Sequence, residues 1–243
     1  MLKGNKTIII TVAVVLAILL LGFIILYSNG LSGLHKHKRT GEDKIKVACV
    51  GDSITYGHGV ESWGKNNYPA QLQRILGDKY HVENFGHSGK TVSDSGDQPY
   101  TKSKQYQLSL DFEADILVFM LGTNDSKPEN WTNEVDFIAK YNSLINKYKE
   151  NNPDIRIIIC TPAKAFFSDG KTSGTTNFDV QPQVVESIRN TIRTYAFANG
   201  YEVVDIFDLS QYHAEWFEKD NVHPSADGAR SIAEAIAKKI TGK

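Results

Sequence analysis

Three side chains in this sequence would do useful chemistry if the fold brought them together. Ser53 lies in Gly51-Asp52-Ser53-Ile54-Thr55, and Asp220 and His223 lie in Asp220-Asn221-Val222-His223-Pro224. Nucleophilic acyl transfer needs a hydroxyl, a base to take its proton, a group to orient the base, and donors for the developing oxyanion. Histidine suits the base, with a reference pKa of about 6.5. An aspartate three residues earlier is close enough to hold the imidazole in one tautomer. Pro224 biases His223 towards extended backbone and keeps it out of a following helix. The candidate oxyanion donors are the Ser53 N–H, the Gly86 N–H and the Asn124 side-chain amide. Glycine at 86 allows the backbone to approach a substrate closely. Taken singly, each residue has an ordinary reading: Ser53 as a helix cap, His223 as a loop histidine, Asp220 as a solvated turn residue. Their order and placement set them apart.

Elements must position these residues. Short apolar runs alternate with helical patterns, which predicts α/β architecture with a parallel sheet. Strands are predicted at 45–50, 81–84, 116–121, 156–160 and 202–205, and helices at 69–76, 134–149, 183–198 and 226–240. In the second helix Ile138, Tyr141, Leu144, Ile145 and Tyr148 recur at three- and four-residue spacing, marking one buried face. Residues 91–111, polar and aromatic with Gly96 and Pro99, read as a long loop. Parallel α/β sheets bind ligands at the carboxyl ends of their strands. Gly51–Thr55 follows the first predicted strand, Gly86-His87-Ser88-Gly89 the second, and Gly122-Thr123-Asn124-Asp125 the third. The Asp220–Pro224 segment comes after the fifth.

In that order, Gly-Asp-Ser at 51–53, Gly86, Asn124 and Asp220-x-x-His223-Pro224 resemble the four blocks of the SGNH (GDSL) hydrolases. The resemblance runs from about residue 45 to the C-terminus. It implies a three-layer α/β/α sandwich, flavodoxin-like, with a central parallel sheet of about five strands. It also implies Ser53 as nucleophile, His223 as base, Asp220 as orienter, and Ser53, Gly86 and Asn124 as oxyanion donors. No metal or organic cofactor is implied. The segments Gly96–Tyr100 and Leu121–Pro128, with Trp131, are similar to a carbohydrate-esterase branch described as sialate O-acetylesterase-like. Asp52, Trp63, Tyr100, Asp125 and Trp131 are therefore candidate substrate-binding residues.

The activity expected is hydrolysis of short, O-acetyl-type esters on a carbohydrate through an acyl-enzyme. A 202-residue domain leaves little chain for a lid over a long acyl tail. The alternatives are a lipase, lysophospholipase or thioesterase of the same family, and a non-catalytic carbohydrate-binding module. In that module Trp63, Tyr100, Tyr106 and Trp131 would stack on sugar, although at least two of them are expected to serve in packing. The segment ending Gly89-Lys90-Thr91 lacks one required glycine of a phosphate-binding loop: the pattern needs glycine at 84, where the chain has Asn84.

Composition conceals a division. The 243 residues carry 27 bases and 28 acids, a net charge of −1. Residues 1–41 contain no acid and hold five bases, so residues 42–243 carry 22 bases against 28 acids, a net of −6. That balance excludes a dedicated nucleic-acid binder. Residues 8–27 are 20 residues without a charge, long enough as a helix to span a bilayer of about 30 Å. The expected organisation is a short tail at 1–7, a transmembrane signal anchor at 8–27, a basic linker at 28–43 and the hydrolase domain at 44–243. Seven residues precede the span, which favours an extracytoplasmic domain; the alternative is a cleaved signal peptide and secretion. Cys49 and Cys160 fall in predicted buried strands and read as core thiols. Nothing in the sequence specifies an oligomeric state.

Overall fold

The computed structural model describes residues 44–167 and 173–242. The expected tail, anchor and linker at 1–43 lie outside those residues. Among the described residues no helix is long and apolar enough to cross a membrane.

Five strands form one sheet: β1 (Ile45–Gly51), β2 (Tyr80–Gly86), β3 (Ile116–Met120), β4 (Arg156–Cys160) and β5 (Glu202–Val204). All pairings are parallel, in the order β2-β1-β3-β4-β5. Among the described residues eight α-helices accompany them: α1 (Ser53–Tyr56), α2 (Trp63–Asn66), α3 (Tyr68–Leu76), α4 (Lys104–Asp111), α5 (Glu134–Asn151), α6 (Pro182–Ala198), α7 (Ile206–Ser210) and α8 (Ala226–Thr241).

The apolar runs of β3 and of Ile157–Cys160 in β4 are continuous because both faces are covered. Val47, Cys49, Ile116, Val118, Met120, Ile158 and Cys160 pack with Tyr68 and Leu72 of α3 and with Ala229, Ile232, Ala233, Ile236 and Ile240 of α8. The alternate residues Ala48, Val50, Leu117, Phe119, Ile157 and Ile159 face the other way. They pack with Phe137, Tyr141, Leu144, Ile145 and Tyr148 of α5 and Ile188 and Ile192 of α6. The period-two alternation of β-strands thus divides one sheet between two cores, which makes three layers. Cys49 and Cys160 are buried free thiols, and burial pushes both well above the ordinary cysteine range.

Local signals set the helix starts. The Asn67 side chain accepts from Ala70 N–H ahead of α3, Asn133 from Asp136 N–H ahead of α5, and Ser225 from Gly228 N–H ahead of α8. Pro182 occupies the first turn of α6, where its missing N–H costs nothing.

One expectation is corrected. Residues 91–111 are not a continuous loop: Tyr100–Lys102 form a 3-10 turn and Lys104–Asp111 form α4, capped by the Ser103 side chain on Tyr106 N–H. Only Ser109 of α4 is fully buried, while Tyr106 and Leu110 lean against the core at its margin. A helix that buries so narrow a stripe leaves little apolar periodicity in its sequence.

The strand order reverses direction between β1 and β3, the place where doubly wound sheets open a crevice. Register sets Gly51, the last residue of β1, opposite Gly86 on β2 and Met120 on β3. α1 starts immediately beyond, pressed onto the ends of β1 and β2. A Cβ on Gly51 would stand 2.0 Å from Thr55 Oγ1 and 2.6 Å from the Met120 carbonyl oxygen. Gly51→Ala should therefore lower stability by about 2–3 kcal/mol, a typical cost of overpacking, read as a fall in the urea midpoint with an unchanged slope. An unshifted midpoint would mean that α1 can slide off the strand ends without cost.

Candidate active site

Ser53 is the first residue of α1 and is buried. Asp52 precedes it as the helix cap: its Oδ1 accepts the Ile54 N–H at 2.9 Å. The turn is closed by Gly57, in left-handed conformation, whose N–H reaches the Ser53 carbonyl. The nucleophile candidate is thus fixed by its own neighbours within one helical turn.

Residue 223 arrives from the far end of the chain. His223 Nε2 lies 2.8 Å from Ser53 Oγ, and His223 Nδ1 lies 2.8 Å from Asp220 Oδ2. The other Asp220 oxygen, Oδ1, accepts the N–H groups of Val222 at 2.9 Å and His223 at 2.8 Å. The three-residue spacing therefore does two jobs, folding the turn with one oxygen and orienting the imidazole with the other. Asn221, at φ +63°, turns the chain between them. The His223 carbonyl accepts from Glu218 N–H, and Ser225 N–H donates to the Trp216 carbonyl, so the loop is pinned on both sides of the histidine. Burial opposes ionisation of Asp220, but the donors from His223 and Val222 outweigh it and hold its carboxyl at about 2. Asp220 is charged at neutral pH and fixes the orientation of the imidazole through Nδ1.

The candidate oxyanion donors differ in how they are engaged. The Ser53 N–H sits in the first turn of α1 and has no intrahelical acceptor. Asn124, buried at the start of a 3-10 turn (Asn124–Ser126), donates one amide hydrogen to the Lys90 carbonyl at 3.2 Å, which leaves the second for a ligand. Gly86 is held differently. A Cβ there would lie 2.1 Å from Tyr56 N, so glycine is needed for the approach of α1 itself. Its N–H donates to Asn84 Oδ1 at 2.9 Å, while Asn84 Nδ2 donates to the Thr55 carbonyl at 3.0 Å. The Asn84 that spoils the phosphate-loop pattern is the residue that ties β2 to α1 here. For Gly86 to donate to an oxyanion, Asn84 must share its N–H or release it.

Three candidate substrate contacts have internal duties instead. Asp52 caps α1 and is almost wholly buried. The two oxygens of Asp125 accept the Val92 and Ser93 N–H groups, each at 3.0 Å, and so fasten the β2–α4 connection. Tyr100 is fully buried, its hydroxyl donating to the Phe85 carbonyl at 2.7 Å. Trp131 packs partly buried against the α5 core, and Tyr106 does likewise. Trp63 alone of the named aromatics keeps a large free surface, 46% exposed, with its indole N–H on the Tyr56 carbonyl. Two rings that sequence reasoning missed lie against His223: His58, centred 4.5 Å from it, and Phe178, centred 5.0 Å away. Gly57-His58-Gly59, five residues past Ser53, was a readable hint of the first; nothing local marks the second. Among the described residues no cluster of metal-ligating side chains occurs.

With this geometry in view, comparison with known proteins is decisive about kinship. Residues 49–230 match the GDSL-like lipase/acylhydrolase family. The chain belongs to that family. It is 36% identical over 219 residues to an acetylxylan esterase of Xylanibacter ruminicola, covering 82% of this chain and 44% of that protein. It thus spans under half the length of that curated relative. Among solved structures, a carbohydrate acetylesterase from Sinorhizobium meliloti superposes with a TM-score of 0.66 at 18% identity, covering 82% of this chain and 99% of that one. A lipase/acylhydrolase from Enterococcus faecalis superposes at 0.64 with 19% identity, covering 81% and 95%. These two likenesses speak for the fold. The described domain has the family signature and the fold of the GDSL-like lipase/acylhydrolases.

The capping role of Asp52 has a pH consequence. Burial raises its carboxyl from 3.8 to about 6, against the pull of the Ile54 N–H. Between these values the folded protein binds a proton that the unfolded chain has released, so stability falls as pH rises. Asp52→Asn keeps a capping oxygen but removes the titration. Its urea midpoint should fall less between pH 4 and pH 7 than that of the wild type. Equal falls would assign the pH dependence elsewhere, Asp125 being the other buried carboxyl raised to about 6.

Proposed function

We propose that this protein is a serine esterase that removes acetyl groups from a carbohydrate. The observation that carries the reading is the hydrogen-bonded chain from Ser53 Oγ through His223 to Asp220, both links 2.8 Å, at the carboxyl edge of the sheet. In this mechanism His223 Nε2 takes the Ser53 proton as Oγ attacks the ester carbonyl. The oxyanion rests on the Ser53 N–H and the free Asn124 amide hydrogen, with the Gly86 N–H recruited from Asn84. His223 then protonates the leaving alcohol, and water, activated by the same imidazole, releases the acyl group as acetate. Asp220 stays ionised throughout and compensates the imidazolium. Similarity to an acetylxylan esterase supports an acetylated glycan as substrate.

The lipase and thioesterase alternatives differ in acyl length, which a series of ethyl esters from acetate to octanoate separates; preference for eight carbons would displace the acetyl reading. We further propose that residues 8–27 anchor the domain on the extracytoplasmic side, a reading supported by their 20 uncharged residues. Recovery of full-length protein in the soluble extract would discard it.

Two variants probe the mechanism. Ser53→Ala should abolish turnover of acetylated xylan while far-UV circular dichroism stays unchanged; residual wild-type turnover would remove Ser53 from the reaction. Asn124→Ala should lower kcat by about 10²–10³, the usual cost of one oxyanion donor, with a smaller change in KM. A kcat within twofold of wild type would leave the oxyanion to the backbone donors.

A further inference from the structure

Phe178 is the feature that neither the fold nor the mechanism uses. It is a large apolar ring, 39% exposed, that stands T-shaped to His223 at an interplanar angle of 78°. Exposed rings are commonplace on mobile loops, but this one is held in place. Its turn is closed by the Thr176 N–H on the Val180 carbonyl at 2.8 Å, and Asp179 adopts φ +57° to make the bend. On one side Val180 is buried in a small cluster with Val222, the neighbour of His223. On the other, Gln181 Nε2 donates to the Ser126 carbonyl at 2.8 Å, tying the turn to the segment that begins with Asn124. The turn therefore spans from the base to the oxyanion corner.

His58 completes the arrangement from the opposite end of the sequence. Its backbone N–H donates to the Ser53 carbonyl at 2.9 Å, so its place is fixed relative to the nucleophile. Its exposed ring tilts against His223 at 4.5 Å between centroids. The rings of His58 and Phe178 stand at 88° to each other with centroids 6.1 Å apart, forming a right-angled corner beside the base.

Resting on the esterase reading, we propose that Phe178 and His58 form the seat of the leaving group, and that this seat takes a pyranose ring of an acetylated, xylan-type glycan. The chemistry fixes which part of the substrate lies there. When the tetrahedral intermediate collapses, His223 Nε2 gives its proton to the alcohol oxygen, which must be within about 3 Å of it. Groups flanking the imidazole therefore flank the alcohol and not the acyl tail. A pyranose has an apolar face of C–H groups and a rim of hydroxyls. The Phe178 ring supplies surface for the face, and the His58 ring supplies a nitrogen for a rim hydroxyl. Phe178 and His58 are binding and positioning residues for the alcohol. Neither takes part in proton transfer.

The test separates the seat from the catalysis. Xylotetraose, which carries no ester, is titrated calorimetrically into the Ser53→Ala protein. Adding Phe178→Ala should raise its Kd about tenfold, and Phe178→Tyr should restore most of the affinity. An unchanged Kd on Phe178→Ala, or no xylotetraose binding to Ser53→Ala itself, overturns the seat. Because no turnover is involved, an esterase that proved inert would cancel the proposed reaction and leave this measurement able to judge the seat. In the Ser53 protein, Phe178→Ala should reduce kcat/KM for acetylated xylotetraose, chiefly through KM, about tenfold more than for ethyl acetate. Equal losses on both would make Phe178 a mere prop for His223. A loss concentrated on ethyl octanoate would assign the ring to the acyl chain. Either result overturns the proposal.

Discussion

A close approach of backbones governs this site. The four-residue helix carrying Ser53 is wedged against the carboxyl ends of β1 and β2 so tightly that two of the contacting residues have no room for a Cβ. At Gly51 the obstacle is Thr55 and the Met120 carbonyl; at Gly86 it is the backbone of Tyr56. Parallel register brings both glycines to the same level of the sheet. With the helix seated there, Ser53 Oγ and its own N–H hold one place at the sheet edge, and the distant His223 loop has a fixed target. Each glycine of the motif is needed by the helix before any substrate arrives.

Three aspartates near this corner show how environment divides labour among identical side chains. Asp220 is partly buried but accepts three hydrogen bonds, two from backbone and one from the imidazole, and it remains ionised at about 2. Asp125 is deeper and has only two backbone donors; burial wins, and its carboxyl rises to about 6. Asp52, equally deep with its Ile54 cap bond, rises as far. The balance between donors gained and water lost decides which carboxylate can support an imidazolium. Proximity to the serine does not: Asp52 is the nearest in sequence, and it serves as a cap.

Much of the architecture is legible along the chain. The continuous apolar runs at 116–120 and 157–160 mark strands covered on both faces, and the spacing of Tyr141, Leu144, Ile145 and Tyr148 marks a helix face. α4 escaped because it packs through a narrow margin and its caps look like ordinary loop residues. The aromatic residues were harder still. Tyr100, Trp131 and Trp63 all have polar surroundings in sequence, yet one is wholly buried, one half packed and one open. Burial of a ring depends on what lies across from it, which a linear reading does not contain.

The sequence by itself determined the succession of the five strands and the four helices at 69–76, 134–149, 183–198 and 226–240, and the four polar segments at strand ends. It also determined the Asp220–His223 spacing, because one aspartate must both cap the turn and reach the imidazole. Those are local properties of backbone and periodicity. Only the tertiary structure decided that Asn84 occupies the Gly86 N–H, that Asp52 and Asp125 are internal fastenings, and that Phe178 meets His58 beside the base. Each of these joins residues far apart in the chain, and the strand order that brings them together is set by how two cores are filled at once.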